Sequence, residues 1–322
     1  MANFWKSINK PILALAPMAG ITDRAFRQMC KGFGADVVYS EMASATALVY
    51  NPLKTLEMLA SDKNEQPYVV QLFGSNPDHF AQAVKLLTDK KKIQKLKATS
   101  YQLPAGIDIN FGCPVKKVAK QGAGAVLMDK PELAREIIKA VFDNTDLPVS
   151  IKIRSKVGGT DALSLLDYLT DLPIAAVMIH GRTLAQGHSG PVDHQLIKEA
   201  RNHFGGVILA NGGVNDRETA LQLLQKTGAD GIGIGQGALG RPWVFQNVKC
   251  QMSNVKGRAE IFKITLQHAR LSNQLKGQTG IIEMRKHLCW YVTGLPDASA
   301  LRRQLVTVSS LKEIERIFDI AG

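Results

Sequence analysis

Gly106-Ile-Asp-Ile-Asn-Phe-Gly-Cys-Pro114 holds a β-branched apolar run that stops abruptly at glycine and proline. Such a run reads as a buried strand, and Gly112 with Pro114 ends it. Asn110 and Cys113 are thereby delivered to the carboxyl end of the strand and the loop beyond it. A free cysteine titrates near ~8.5, so a thiol there can hold or give a proton at neutral pH. A lone cysteine is more often a small buried hydrophobe. The rest of the chain decides between the two.

Seven further runs resemble this one: Ile12–Met18, Val37–Met42, Tyr68–Gly74, Pro148–Arg154, Ala175–Arg182, Gly206–Gly213 and Gly231–Ala238. Each is almost continuously apolar, as a parallel strand covered on both faces should be. Helical patterns follow most of them. Several of these open on capping residues: Thr22-Asp23, Ser75-Asn76-Pro77-Asp78, Thr160-Asp161 and Asn215-Asp216. Eight β-α units over roughly 250 residues predict a (β/α)8 TIM barrel rather than an open sheet. An open sheet would carry a Gly-rich turn after its first strand, where this chain has Pro17-Met18-Ala19-Gly20. Past about residue 242 the pattern changes. Glu260–Lys276, Ile281–Tyr291 and Ser310–Phe318 read as amphipathic helices with no strands between. The expected division is a barrel over residues 1–249 and a small helical domain over 250–322. The Lys90–Lys97 stretch reads as an exposed basic loop.

Composition narrows the function. A chain of 322 residues, 45% apolar and 21% charged, is an ordinary globular protein, long enough for one large domain and a small one. It has no apolar run long enough for a membrane span and no secretory signal pattern at its start. Four cysteines without CxxC spacing argue against a zinc site or a disulfide framework, so no metal is expected and a reducing cytoplasm is the expected location. A net charge of +12 favours a polyanionic partner, nucleic acid above all. The helical segment carries eleven Lys/Arg against six Asp/Glu. Nothing in the sequence requires more than a monomer.

In a TIM barrel the chemistry gathers where strands end. Those ends hold Pro17-Met18-Ala19, Glu41, Gln71, Asn110 with Cys113, Lys152 with Arg154, His180 with Arg182, Asn211-Gly212-Gly213, and Gly235-Gln236-Gly237. Any one has a dull explanation; a polar or glycine residue at successive ends does not. Glycines after the last two strands suit a phosphate held by backbone N–H groups and a helix N-terminus. Lys152 and Gln71 suit a ring system with carbonyls that gathers negative charge. FMN supplies both the ring and a single phosphate. No GxGxxG follows the first strand and no ribose-binding acid is visible, which argues against a Rossmann dinucleotide site.

At these residues the chain resembles the dihydrouridine synthase family, flavoenzymes that reduce uridine in transfer RNA. The likeness runs from about Ile12 to Arg303. Its marks are Ala16-Pro-Met-Ala-Gly-Ile-Thr-Asp23, Val70-Gln-Leu-Phe-Gly74, Asp108-Ile-Asn-Phe-Gly-Cys-Pro-Val-Lys-Lys117, Ile151-Lys-Ile-Arg154, His180-Gly-Arg-Thr183, Asn211-Gly-Gly213, Gly237-Ala-Leu-Gly-Arg-Pro-Trp243 and Arg285-Lys-His287. The bacterial B-type branch looks most similar. The resemblance implies FMN at Pro17, Met18, Ala19, Gln71, Lys152, His180, the Asn211-Gly212-Gly213 loop and the Gly235-Gln236 loop. It implies Cys113 as the acid that protonates C5 of a D-loop uridine while reduced FMN gives a hydride to C6, with NADPH as the electron source. It implies that Asn110, Arg154 and Arg182 face the uridine and its backbone. Arg285, Lys286 and His287 then belong to the RNA surface of the helical domain.

Two positions depart from the family pattern. Gln236 stands where an arginine is usual in the phosphate loop, and His188 stands where a tyrosine is usual. The rival readings are a small-molecule FMN oxidoreductase of the dihydroorotate dehydrogenase type and a non-catalytic RNA-binding barrel. The basic helices argue against the first. Cys113, Lys152 and Gln71 together argue against the second.

Overall fold

The structure is a computed structural model and describes residues 3–96, 101–250 and 256–321. Eight parallel strands build the barrel: β1 (Ile12–Leu15), β2 (Val37–Tyr39), β3 (Tyr68–Phe73), β4 (Gly106–Phe111), β5 (Val149–Arg154), β6 (Ala176–His180), β7 (Val207–Asn211) and β8 (Gly231–Ile234). Each expected run contains one of them. β1 pairs with β8 through Ile12 and Gly231, and β2 pairs with β3 through Val38 and Tyr68, which closes the ring. A two-residue strand, Ala43–Ser44, pairs with β3, and a small hairpin, Lys156–Val157 with Thr160–Asp161, forms a sheet of its own.

Side chains of a strand point alternately to its two faces, so each strand feeds two cores. Leu13, Leu15, Val38, Val70, Ile107, Ile109, Ile151 and Ile153 pack outward beneath the helices. Ile12, Ala14, Val37, Tyr39, Val69, Met178 and Leu209 fill the lumen with Trp5. The short turn Phe4–Lys6 brings Trp5 there and closes the amino end of the barrel. Higher in the lumen the same alternation continues in polar residues. Gln71 follows Val69 by two, Asn110 follows Asp108, Lys152 follows Ser150, His180 follows Met178 and Asn211 follows Leu209. This parity makes the carboxyl end of the lumen polar over an apolar plug.

The four expected caps form. Asp23 accepts from the Phe26 N–H, Asn76 from Asp78 and His79, Asp161 from Ser164, and Asp216 from Thr219. The Lys90–Lys97 expectation is corrected. Lys90–Lys95 is a helix, capped by Asp89, and Ile93 in its middle is buried. Asp89 supplies the cap and Ile93 supplies an apolar face, which is enough for one turn and a half. Lys97 lies outside the described residues.

A second core lies in the C-terminal part. The helical stretch Arg258–Tyr291 is broken at Gly277, whose backbone is left-handed, so the two expected helices meet there. Ala298–Leu305 and Leu311–Ala321 complete this part; the first of them was not expected. Ile261, Phe262, Met284, Leu288, Leu301 and Phe318 pack together, with Phe262 and Phe318 stacked at 4.2 Å. Met29 and Trp243 from the barrel part join this same core. No helix among the described residues is long and apolar enough to cross a membrane.

Candidate active site

A cavity of about 670 Å³ opens at the carboxyl ends of the strands. Every residue expected to hold the flavin lines it: Pro17, Met18 and Ala19 after β1, Gln71 on β3, Lys152 on β5, His180 on β6, Asn211 at the end of β7 with Gly212 and Gly213 beyond it, and Gly235 and Gln236 after β8. Cys113, Asn110, Arg154 and Arg182 line it as well. Register explains this convergence. Asn110 pairs with Lys152, Arg154 with His180, and His180 with Asn211, so these side chains rise to similar heights in neighbouring strands.

The polar residues are tied together. Lys152 Nζ donates to Asn211 Oδ1 at 3.1 Å, and Asn211 Nδ2 donates to the Gly233 carbonyl at 2.7 Å. Gln71 Oε1 accepts from Asn110 Nδ2 at 2.8 Å. Asn110 Oδ1 accepts the N–H groups of Gly112 and Cys113 at 3.1 and 2.9 Å. Asn110 therefore holds the loop that carries the thiol. The Cys113 carbonyl accepts from the Ala125 N–H at 3.1 Å, which folds the far side of that loop back.

Electrostatics follow from burial among cations. Burial and the neighbouring Arg154 push the Lys152 ammonium down to about 8, against the pull of Asp108 and Cys113. Burial, with Lys152, Arg154 and Arg182 nearby, pushes the His180 imidazole down to about 2, so it is neutral at physiological pH. The cavity thus keeps its positive charge on Lys152, Arg154 and Arg182, and a neutral imidazole adds none.

The glycines after β7 and β8 let two loops touch. Gly212 and Gly213 have left-handed backbones, and a Cβ on Gly237 would lie 2.0 Å from the Val214 carbonyl oxygen. The helix N-terminus expected with them is not available. The helix after β7, Arg217–Thr227, is capped by the Asp216 carboxylate, and β8 is followed by a three-residue 3-10 turn, Gln236–Ala238. A phosphate there would meet backbone N–H groups and not a helix dipole.

Arg285 and His287 are committed inside the helical part, and Arg154 lines the cavity while bracing its loops. Arg154 is 1% exposed, and its guanidinium donates to the carbonyls of Gly112, Thr183 and Gly187, so it is a strut between the loops after β4 and β6. Arg285 donates to the carbonyls of Thr307 and Val308 inside the helical part. His287 is 3% exposed and packs between Phe26, His268 and Trp290. A buried ring cannot meet an RNA backbone. Lys286 is exposed, as expected. Arg182 lines the cavity with Nε on the Gly190 carbonyl. Glu41 accepts from the Gly20 N–H and steadies the loop after β1.

Sequence reasoning missed Trp290, which reaches the cavity from the helical part beside Gly240. It also passed over Asp108 and Ser150, buried just below the floor. For these two a signal existed: each stands two residues before a site residue on the same strand.

Comparison with known proteins agrees with this geometry. The family model for dihydrouridine synthase (Dus) matches residues 14–321. The chain is 33% identical over 317 residues to the probable tRNA-dihydrouridine synthase 1 of Synechocystis sp., covering 95% of this chain and 85% of that one. It is 32% identical to the tRNA-dihydrouridine synthase B of Vibrio vulnificus, with 95% of both chains covered. Among solved structures, histamine dehydrogenase from Rhizobium sp. 4-9 superposes with a TM-score of 0.54 at 11% identity, covering 97% of this chain and 62% of that one, a likeness of fold alone. A model match over nearly the whole chain, falling on the strand ends that line the cavity, makes this protein a member of the dihydrouridine synthase family.

Proposed function

We propose that this chain reduces uridine in the D-loop of transfer RNA to 5,6-dihydrouridine, with FMN in the 670 Å³ cavity and NADPH as electron source. The observation that carries this reading is one shared cavity: the Cys113 loop faces the row Gln71, Lys152, Asn211 and Gly235. The relatives' names point to transfer RNA as the substrate.

The residues present fit the cofactor. The volume suits a ligand of this size, since such pockets span about 300–1,000 Å³. The donor set is an ammonium, two side-chain amides and glycine loops that side chains would fill. Lys152 and Gln71 would hold the ring system, and the Gly212-Gly213 and Gly235-Gln236 segments its phosphate. When bound, FMN supplies the hydride that C6 of the base receives.

The chain's own work is to hold and protonate the base. Cys113 stands on a loop fixed by Asn110, and its thiol gives the proton to C5 as a general acid. Lys152, Arg154 and Arg182 keep the cavity cationic and so favour an anionic ligand. Met18, Met42 and Leu239 give it apolar walls that exclude water. The target base must leave its stack, which costs a few kcal/mol, and phosphate contacts elsewhere offset that cost. The helical part, with exposed Lys286, supplies part of that surface.

The test is direct. The purified protein is assayed for flavin absorbance, then given NADPH and unmodified transfer RNA. A yellow protein that adds two hydrogens to uridine is the expected result. A colourless protein, or one that leaves the RNA unchanged, overturns the reading. Reduction of free pyrimidines as fast as transfer RNA would favour the small-molecule rival.

A further inference from the structure

Below the cavity floor lies a carboxylate that no step above uses. Asp108 is fully buried on β4. Ser150 Oγ donates to one of its oxygens at 2.6 Å, and Gln71 Nε2 donates to the other at 2.7 Å. From Gln71 the hydrogen bonds continue upward through Asn110 to the N–H groups of Gly112 and Cys113. One unbroken chain thus runs from a buried acid to the thiol loop.

We propose that Asp108 is a positioning residue for uridine reduction: its carboxylate fixes the orientation of the Gln71 and Asn110 amides and so holds the loop of Cys113. The proposal rests on the functional reading above.

The argument is one of donors and acceptors. A side-chain amide is nearly symmetric in shape but has one accepting end and one donating end. An ionised carboxylate only accepts. Gln71 must therefore turn its NH2 group down to Asp108 and its oxygen up to Asn110. Asn110 must then turn its NH2 group to Gln71, which leaves its oxygen for the loop. The loop offers two N–H groups, so the upper end asks for the same orientation that the lower end imposes. If Asn110 turned over, its NH2 group would face the Cys113 N–H; if Gln71 turned over, its NH2 group would face that of Asn110 and its oxygen the carboxylate; in either case a buried donor would lose its partner. A buried donor left without an acceptor bears its full desolvation penalty. A buried apolar residue at 108 would fill the space equally well but impose no direction. Burial pushes the Asp108 carboxyl up to about 6, against the hydrogen bonds from Ser150 and Gln71 and the charge of Lys152. At neutral pH it remains the acceptor that the two amides need.

The experiment compares Asp108→Asn and Ser150→Ala with the wild type, in the flavin-loaded protein and in the protein stripped of flavin. An asparagine keeps the shape of Asp108 and removes its one-way demand. Expected for Asp108→Asn is faster hydrogen exchange at the Gly112 and Cys113 amides, with or without flavin, while β5 amides stay protected. Single-turnover uridine reduction should fall by about 10–100-fold, the scale of a misplaced catalytic group. Affinity for transfer RNA should stay within about twofold, because no RNA-facing group changes. Ser150→Ala leaves the carboxylate in place and should leave loop exchange near the wild-type rate. Unchanged exchange at Cys113 in Asp108→Asn overturns the proposal. So does equal loosening in Ser150→Ala, which would mean a floor that merely packs. If Asp108→Asn does not fold, neutron diffraction on the wild type decides: deuterium on the Gln71 nitrogen facing Asp108, and on the Asn110 nitrogen facing Gln71, is expected. Reversed amides overturn the proposal. A protein that never reduces uridine yet shows the loop effect would retain the positioning role and sink the functional reading instead.

Discussion

Lys276 Nζ lies 3.0 Å from Asp23 Oδ2, joining two helices separated by 253 residues of chain. Asp23 also caps its own helix by accepting the Phe26 N–H at 3.0 Å. Burial pushes the Asp23 carboxyl up, but Lys276 and the Phe26 N–H outweigh it and bring it down to about 2. A folded value below the unfolded one of about 3.9 stabilises the fold above that pH, by about 2 kcal/mol. The contribution is lost as pH falls from about 4 through 2. Asp23→Asn keeps the cap and removes the charge. Urea melts at a series of pH values should show it less stable at pH 7 and flatter between pH 4 and 2. An acid limb as steep as the wild type's would rule the pair out as its source.

Cys113→Ala should keep flavin and transfer RNA and lose uridine reduction. The thiol stands on the loop after β4, and the residues that would hold FMN come from β1, β3 and β5 to β8. Losing a positioned general acid costs about 10²–10⁴ in rate. NADPH oxidation in the flavin half-reaction should proceed at nearly the normal rate. The check is to pre-reduce the variant and add unmodified transfer RNA; reoxidation at the wild-type rate would leave Cys113 a structural residue.

Gln236→Arg should tighten FMN binding. Gln236 is exposed at the cavity edge beside Gly235, in a loop that offers no helix dipole. A guanidinium there adds a charge-assisted contact, roughly twice as strong as a neutral hydrogen bond. Fluorescence titration of the apoprotein gives the affinity. A weaker Kd would mean that the pocket is shaped around glutamine.

Lys286→Ala and Arg285→Ala should part company. Lys286 is exposed, so its loss should lower the salt slope of transfer RNA binding by about one. Arg285 spends its donors on the carbonyls of Thr307 and Val308, so its loss should lower the Tm and leave the slope unchanged. Equal salt slopes for both variants would contradict this division.

Flavin affinity should weaken as pH rises through about 8. Burial and Arg154 bring the Lys152 ammonium to that value, so the charge is present below it and lost above it. Lys152→Gln should bind more weakly at pH 7 and show no change between pH 7 and 9. A wild-type affinity that is flat over this range would show that the ammonium does not hold the flavin.

The barrel was legible because strands covered on both faces need nearly unbroken apolar runs, and those runs stand out between capped helices. The site was legible for the same reason: polar residues near the ends of such runs have few other uses. What was not legible depended on direction. Arg285, Lys286 and His287 are contiguous and read as one basic cluster. On a helix each step turns by about 100°, so they face three ways: a carbonyl pair, solvent and the core. Asp108 and Ser150 were within reach, since they share the parity of Asn110 and Lys152. Trp290 was not. It arrives through the packing of the C-terminal helices against the loop after β8, which no local pattern encodes.

The helix Arg24–Gly32 belongs to both cores. Phe26 and Cys30 pack beneath the barrel strands, while Met29 packs with Trp243 among the C-terminal helices. A Cβ on Gly240 would lie 2.4 Å from the main chain of Trp290, so the backbones meet there with no side chain between. A barrel that formed without the C-terminal helices would leave Met29 and Trp243 bare to water and Asp23 without its cation. The expected division near residue 250 thus falls across shared packing, with each part covering apolar side chains of the other.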